Sequence, residues 1–387
     1  MKRLIVLSSI LLSASLGFSQ SAQETSLANI LKTMHDKYAP DRRTAVFDVT
    51  AEMSGPNLIL RGEVDDADAR QQVVQAIRAS SKAAVIDSIR TLPDPSLGSK
   101  TFGIVTVSVG NVRTKPGDAE ELSTQVLMGM VVRVLKKHGG YYYVQSSDHY
   151  LGWLDDDAFA LTDRAEVDAW AAARKVIVTG YFGVVRENAG DDAQPVSDAL
   201  IGNLFKFLDA SNGWTHVAIA DGRTGYIASS LVSDYDSWRG SRSLNGDNVE
   251  KTAKMFVGIP YLWGGTSAKG MDCSGFTKTV YRLNGMELSR DADQQAAMGT
   301  DVQVDANFSG LKKGDLLFFG RKGTADRPER ISHVAIYLEN KLYIESSGRV
   351  RFGSFDPSSP YFREYNARRF VRVRRIIPSG DIPEVKQ

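Results

Sequence analysis

Residues 110–154 align with residues 183–227 without a gap, at an offset of 73 (183 − 110). Gly110, Val112, Arg113, Gly117 and Asp118 fall on Gly183, Val185, Arg186, Gly190 and Asp191. Leu127, Gly129, Leu135, Gly140, Val144, Asp148 and Gly152 then fall on Leu200, Gly202, Leu208, Gly213, Val217, Asp221 and Gly225. A gapless repeat means one small unit folded twice. Each copy shows short period-two runs, such as Met130-Val-Val-Arg-Val-Leu135, broken by Gly139-Gly140 or Asn212-Gly213. Alternation of that kind between glycine turns specifies short antiparallel strands, and two tandem small β-barrels fit them.

The flanks read differently. Ala45, Phe47, Val49, Ala51 and Met53 alternate along one strand, and Leu58, Leu60, Gly62 and Val64 along a second, with Ser54-Gly55-Pro56-Asn57 turning between them. Ala69, Val73, Ala76, Ile77 and Ser80 recur at helical spacing, and a Val85–Ile89 strand follows. Residues 24–96 therefore read as a small ββαβ unit, closed by Pro93 and Pro95. From Asn245 a helical stretch (Val249 to Phe256) precedes strands around Asp315–Phe319, His333–Leu338, Leu342–Ser346 and Phe370–Ile376, an α+β pattern.

The first 22 residues read as an export signal. Lys2 and Arg3 precede an uncharged apolar run, Leu4 to Leu16, and small residues with cleavage after Ser19 or Ala22. That run is short for a membrane span, so the expectation is a periplasmic or extracellular protein without stable membrane insertion. Without Lys2 and Arg3, 45 basic residues (47 − 2) face 46 acidic ones. Such a balance exerts no global pull on nucleic acid. The chain has no nucleotide-binding glycine loop and no metal-ligand cluster. It is expected to act as a monomer, with no cofactor, no metal and no nucleic-acid partner.

Cys273 is the chain's single cysteine. A lone thiol in an exported chain is a free reactive group, an intermolecular bridge or inert packing. Phe276, Val280 and Leu283 recur at helical spacing after it, which places it near a helix N-terminus, where the dipole favours thiolate. Gly264, Gly265, Gly270 and Gly275 surround it. His35, His138, His149 and His216 lie in the N-terminal unit or the repeats, leaving His333 as the base within reach in the cysteine's own domain. Glu345 is a candidate third group on one condition. A three-residue loop at Glu339-Asn340-Lys341 sets Ala335 opposite Glu345 and puts His333 on the same face; a two-residue loop turns Glu345 away, as an exposed strand carboxylate.

Four segments carry a family resemblance: Pro260-Tyr-Leu-Trp-Gly-Gly265, Asp272-Cys-Ser-Gly-Phe276, Lys313-Gly-Asp-Leu-Leu-Phe-Phe319 and Ser332-His-Val-Ala-Ile-Tyr337. In this order they resemble the signatures of NlpC-type cysteine peptidases, papain-related enzymes that cut bacterial cell-wall peptides. The repeats resemble bacterial SH3-like domains, and residues 24–96 resemble BON-type domains. The implied organisation is a signal peptide over 1–22, a BON-like domain over 24–96, and SH3-like domains over 100–165 and 172–238. A papain-like catalytic domain over 245–377 and a tail over 378–387 complete it.

The whole chain resembles the γ-D-glutamyl-L-diamino-acid endopeptidases, which implies peptidoglycan stem peptides as substrate. By resemblance Cys273 is the nucleophile, His333 the general base and Tyr261 an oxyanion donor, beside the backbone N–H of Cys273. Glu345 stands where the family usually has histidine. Asp291, with Arg290, matches the segment that meets the substrate's free α-amine, and Asp272 and Ser274 line the same subsite. Tyr150 of the first repeat either contributes to that subsite or belongs to its barrel; the second repeat has Arg223 at the matching place. The reading that follows is a thiol peptidase cutting after γ-D-Glu in L-Ala-γ-D-Glu-diamino-acid peptides, with intact wall, or wall binding without catalysis, as the alternatives. The arginines from Arg363 to Arg375 read mainly as the solvated face of a last strand.

Overall fold

The computed structural model describes residues 25–305 and 307–378. The expected signal peptide and all but the first residue of the 378–387 tail lie outside the described residues. The chain divides after Gly98 into two compact units.

In the first unit, strands Phe47–Ser54 and Asn57–Val64 pair antiparallel through a turn at Gly55 (φ 61°), a backbone angle that glycine adopts freely. Helix Ala67–Ser80 follows, capped where the Asp66 carboxylate accepts from the Asp68 amide at 2.7 Å. Strand Ala84–Thr91 returns parallel to Asn57–Val64. Ala69, Val73 and Ile77 are buried against Leu58, Leu60 and Val64. A helix over 25–38 precedes these elements; Leu27, Ile30, Leu31 and Met34 carry its apolar stripe into the same core.

The second unit begins with two seven-stranded sheets. In the first, spatial order runs Phe159–Thr162, Phe102–Val105, Val131–His138, Tyr141–Gln145, Leu151–Asp155, Val109–Arg113, Leu122–Leu127. In the second it runs Val232–Asp234, Lys175–Val178, Leu204–Ser211, Trp214–Ala218, Thr224–Ala228, Phe182–Arg186, Pro195–Leu200. The order is the same strand for strand. Even the register shifts recur at the 73-residue offset: Val134/Lys136 with Phe207/Asp209, and Val112/Arg113 with Val185/Arg186. Bulges bend a strand and increase its twist, so their repetition ties the sequence repeat to one geometry.

A six-stranded antiparallel sheet completes the unit, ordered Thr300–Val302, Phe370–Arg375, Leu316–Arg321, Arg330–Tyr337, Leu342–Ser347, Arg349–Ser354. The sequence pattern showed four of these strands. Thr300–Val302 is only three residues long, and Arg349–Ser354 follows so tight a turn at Gly348 (φ 70°) that it merged with its predecessor. Helix Cys273–Leu283 lies on one face, where Phe276 and Val280 share a core with Val334, Ile336, Ile344 and Val350. Full burial of a side chain such as Phe276 stabilises by about 1.5–3 kcal/mol, which fixes the helix against the sheet. The C-terminal arginines are not simply a solvated face. Arg374 pairs with Asp301 at 2.6 Å, Arg375 with Asp315 at 2.7 Å, and Arg372 with Glu329.

Candidate active site

Cys273 is the first residue of its helix, a free thiol 8% exposed. Asp272 is the N-cap, its Oδ1 accepting from the Gly275 amide at 2.7 Å. Glycine is required at 275 because a Cβ there would lie 2.0 Å from the Gly265 carbonyl oxygen. Arg290 pairs with the Asp272 carboxylate beside the thiol. The guanidinium, 1% exposed, spans Asp272 in a fork, Nη1 to Oδ1 at 3.1 Å and Nη2 to Oδ2 at 2.5 Å. It also donates to Ser274 Oγ at 3.0 Å and, through Nε, to Thr124 Oγ1 of the first barrel at 3.1 Å. Asp272 Oδ2 accepts once more from the Gly264 amide at 2.9 Å.

This geometry differs from the amine-subsite role that the resemblance implied for Asp272 and Arg290. Both are committed to each other and to the helix start, so neither offers a vacant charge to a ligand. Ser274, 5% exposed, sits inside the same network.

His333 lies on strand Arg330–Tyr337, beside a register shift in which Phe319 pairs with His333 and Gly320 with Ile331. Ser332 is the extra residue of that bulge, a feature that re-aims the side chains beside it. The imidazole lies close enough to Cys273 for the two to interact electrostatically. Its Nε2 lies 2.6 Å from Glu345 Oε2, which leaves Nδ1 for the thiol. Burial works against the charged ring, but the Cys273 and Glu345 charges and hydrogen bonds outweigh it, raising the His333 pKa to about 10.

Glu345 faces His333 because the hairpin has the longer turn. Leu338 N donates to Leu342 O at 2.9 Å, closing a three-residue loop with positive φ at Asn340 (49°) and Lys341 (66°). Ile336 pairs with Ile344 and Tyr337 with Tyr343, a register that sets Ala335 opposite Glu345. Glu345 is fully buried. Burial alone would raise its pKa; the hydrogen bond and charge of His333, then Asn366 and Arg351, hold it below the usual carboxylate value. The sequence reading missed Asn366 and Arg351. Arg351 had a signal, since a tight turn at Gly348 makes it the cross-strand partner of Glu345. Asn366 had none; it arrives on the six-residue helix Glu364–Arg369.

Tyr261 is held near the helix start, its amide donating to Gly348 O at 3.0 Å. Burial first, and then the negative Cys273 and Asp272, push its phenol well above the ordinary tyrosine value, so it stays a neutral donor.

The first barrel forms one side of this region. Tyr150 OH lies 2.9 Å from Asp291 Oδ2, and Trp263 Nε1, on a ring 63% exposed, donates to Glu121 Oε1 at 2.8 Å. The Thr266 amide donates to Gln125 Oε1 at 3.0 Å. Gly264, at φ 80°, packs so closely that a Cβ would lie 2.3 Å from the Leu122 carbonyl oxygen. Lys278, on the cysteine helix, pairs with Asp148 at 3.0 Å in the loop that carries Tyr150. Arg223, matching Tyr150 in the second seven-stranded sheet, instead donates Nη2 to Thr106 O at 2.7 Å, so it braces the first repeat. Among the described residues, the group of side chains close enough to share a metal is Asp155, Asp156 and Asp157, none of which belongs to the cysteine site. Among the same residues no helix is long and apolar enough to cross a membrane.

Known proteins resemble this chain in both the catalytic and barrel regions. A model described as the NlpC/P60 family matches residues 258–375, and one described as the bacterial dipeptidyl-peptidase Sh3 domain matches residues 112–159. Dipeptidyl-peptidase 6 of Lysinibacillus sphaericus is 27% identical over 270 residues, 67% of this chain and 94% of that protein. A gamma-D-glutamyl-L-lysine dipeptidyl-peptidase of Bacillus cereus is 30% identical over 268 residues, 66% of this chain and 77% of that one. The crystal structure of an NlpC/P60 family protein from Bacillus cereus superposes with a TM-score of 0.61, covering 72% of this chain and 100% of that chain at 23% identity, which shows a shared fold.

Proposed function

Since the chain belongs to the NlpC/P60 family of cysteine peptidases and hydrolyses peptides of peptidoglycan, we propose that its bond is the amide after γ-D-Glu in L-Ala-γ-D-Glu-diamino-acid peptides, with a free N-terminal L-Ala preferred. In this reading the Cys273 thiolate attacks the γ-carbonyl of D-Glu, and the oxyanion forms against the Tyr261 hydroxyl and the Cys273 N–H. The His333 imidazolium passes its proton to the departing amine of the diamino acid as the C–N bond breaks, leaving a thioester. Water, deprotonated by His333, attacks the thioester and releases L-Ala-γ-D-Glu and the thiol. Glu345 holds the imidazole throughout.

The observation that carries the amine preference is the contact between Tyr150 OH and Asp291 Oδ2 at 2.9 Å. It brings a carboxylate of the catalytic domain to a hydroxyl of the first repeat. An ammonium group adds a charge-assisted partner to that carboxylate, which an acylated nitrogen cannot supply, so free-amine peptides are favoured over acylated ones. The second seven-stranded unit, with the same strand order, we read as a second SH3-like domain that braces the first through Arg223. The Lys2-Arg3 and Leu4–Leu16 pattern supports action outside the cytoplasm.

The test is hydrolysis of L-Ala-γ-D-Glu-diaminopimelate against its N-acetyl form, with Cys273→Ala as the inactive reference. Strong preference for the free amine is expected. Equal rates, or preference for the acetylated peptide or intact wall, would defeat the amine reading; turnover by Cys273→Ala would defeat the nucleophile.

A further inference from the structure

Glutamate has three side-chain torsions, the last of them broad, so a lone carboxylate is a poor device for fixing an imidazole. Glu345 is not alone. Its Oε2 accepts from His333 Nε2 at 2.6 Å and from Asn366 Nδ2 at 2.7 Å, and its Oε1 accepts from Arg351 Nε at 3.2 Å. Both pins are themselves held. Arg351 is the cross-strand partner of Glu345, and its Nη2 rests on Ser347 Oγ at 3.1 Å. Asn366 is 6% exposed, and its Nδ2 also lies 3.0 Å from Tyr343 OH. The short helix that delivers Asn366 sends Arg369 Nη2 to Ser332 Oγ at 2.6 Å, beside His333 in the bulge. One helix thus touches both the carboxylate and the backbone neighbour of the imidazole.

Charge leads to the same residues. Thiolate, imidazolium and a carboxylate sum to one negative charge in a buried setting, and Arg351 brings that sum to zero. Among the described residues, two further groups bear on this region: the Tyr343 phenol, which burial and then the Glu345 charge keep protonated, and Arg363, whose charge reaches Tyr343.

We infer that Asn366 and Arg351 are positioning residues for the peptidase reaction, fixing Glu345 from two sides so that it presents Oε2 to His333 Nε2 and keeps Nδ1 turned to Cys273. The inference rests on the catalytic pairing of Cys273 with His333, and not on the amine subsite.

Asn366→Ala, Arg351→Met and Arg351→Lys are compared with wild type in the full chain. Three properties are read: kcat and KM on the free tripeptide, the rate of Cys273 alkylation by iodoacetamide between pH 4 and 9, and the melting temperature. Asn366→Ala and Arg351→Met are expected to lower kcat about tenfold, a part of the roughly 10²–10⁴-fold that a positioned base contributes, with KM nearly unchanged. The acid limb of alkylation moves up by about one pH unit, because each variant removes a group that keeps Glu345 ionised. Arg351→Lys restores the charge, and with it the acid limb. Folded variants with wild-type kcat and an unmoved limb, whatever their melting temperature, overturn the inference. If Asn366→Ala fails to fold, the Arg351→Met and Arg351→Lys pair decides alone. A limb that moves in alkylation supports the positioning role even if the free tripeptide is not cleaved, in which case the substrate reading is what fails.

Discussion

Replacing Arg290 by methionine is the sharpest perturbation of the cysteine's surroundings. The side chain is 1% exposed and makes four hydrogen bonds, two to Asp272, one to Ser274 Oγ and one to Thr124 Oγ1. Removing one partner of a buried ion pair costs about 3–5 kcal/mol, because the other charge is stranded. Asp272 still has the amides of Gly264 and Gly275, which places Arg290→Met near the lower end, about 3 kcal/mol. Changing Asp272→Asn as well removes the stranded charge while an amide oxygen can still cap Gly275. The double variant is therefore expected to be less damaged than Arg290→Met by about 1–2 kcal/mol. Urea unfolding of the full chain, followed by tryptophan fluorescence, measures the cycle. A loss below about 1 kcal/mol for Arg290→Met, or a double variant as poor as the sum of the singles, would refute this account of the pair.

Further expectations concern charge, selectivity and packing. The raised His333 pKa stabilises the fold fully below its unfolded value of 6.5, and that contribution is lost as pH rises toward about 10. The unfolding free energy of wild type minus that of His333→Gln should decline over this window, and a flat difference would contradict it. Lys278→Met strands the Asp148 carboxylate, loosens the loop bearing Tyr150, and should reduce discrimination between free and acetylated peptide about tenfold, the equivalent of one charge-assisted hydrogen bond. Unchanged discrimination in a folded Lys278→Met would argue that the loop stands without its ion pair. Gly275→Ala drives a methyl into the Gly265 carbonyl at 2.0 Å and should cost about 1–3 kcal/mol together with most of the activity; a wild-type melting curve would show that the loop yields.

The sequence by itself determined the repeat, the helix that begins at Cys273 and the alternation that separates His333 from Val334. Each is a local property: backbone periodicity, glycine turns and capping act within a few residues, so they can be read from spacing. Tertiary structure decided what the local pattern left open. Glu345 faces His333 because Leu342 closes a three-residue loop, a choice of turn that strand parity alone could not make. Arg290 binds Asp272 rather than standing ready for substrate, since the two are brought together from separate segments into a buried setting where each charge requires the other. Tyr150, distant in sequence, reaches Asp291 only because the first barrel docks on the cysteine helix. Asn366 carries no signature at all. Its role exists only in the meeting of a short helix with a buried carboxylate, and such long-range pairings have no period to betray them.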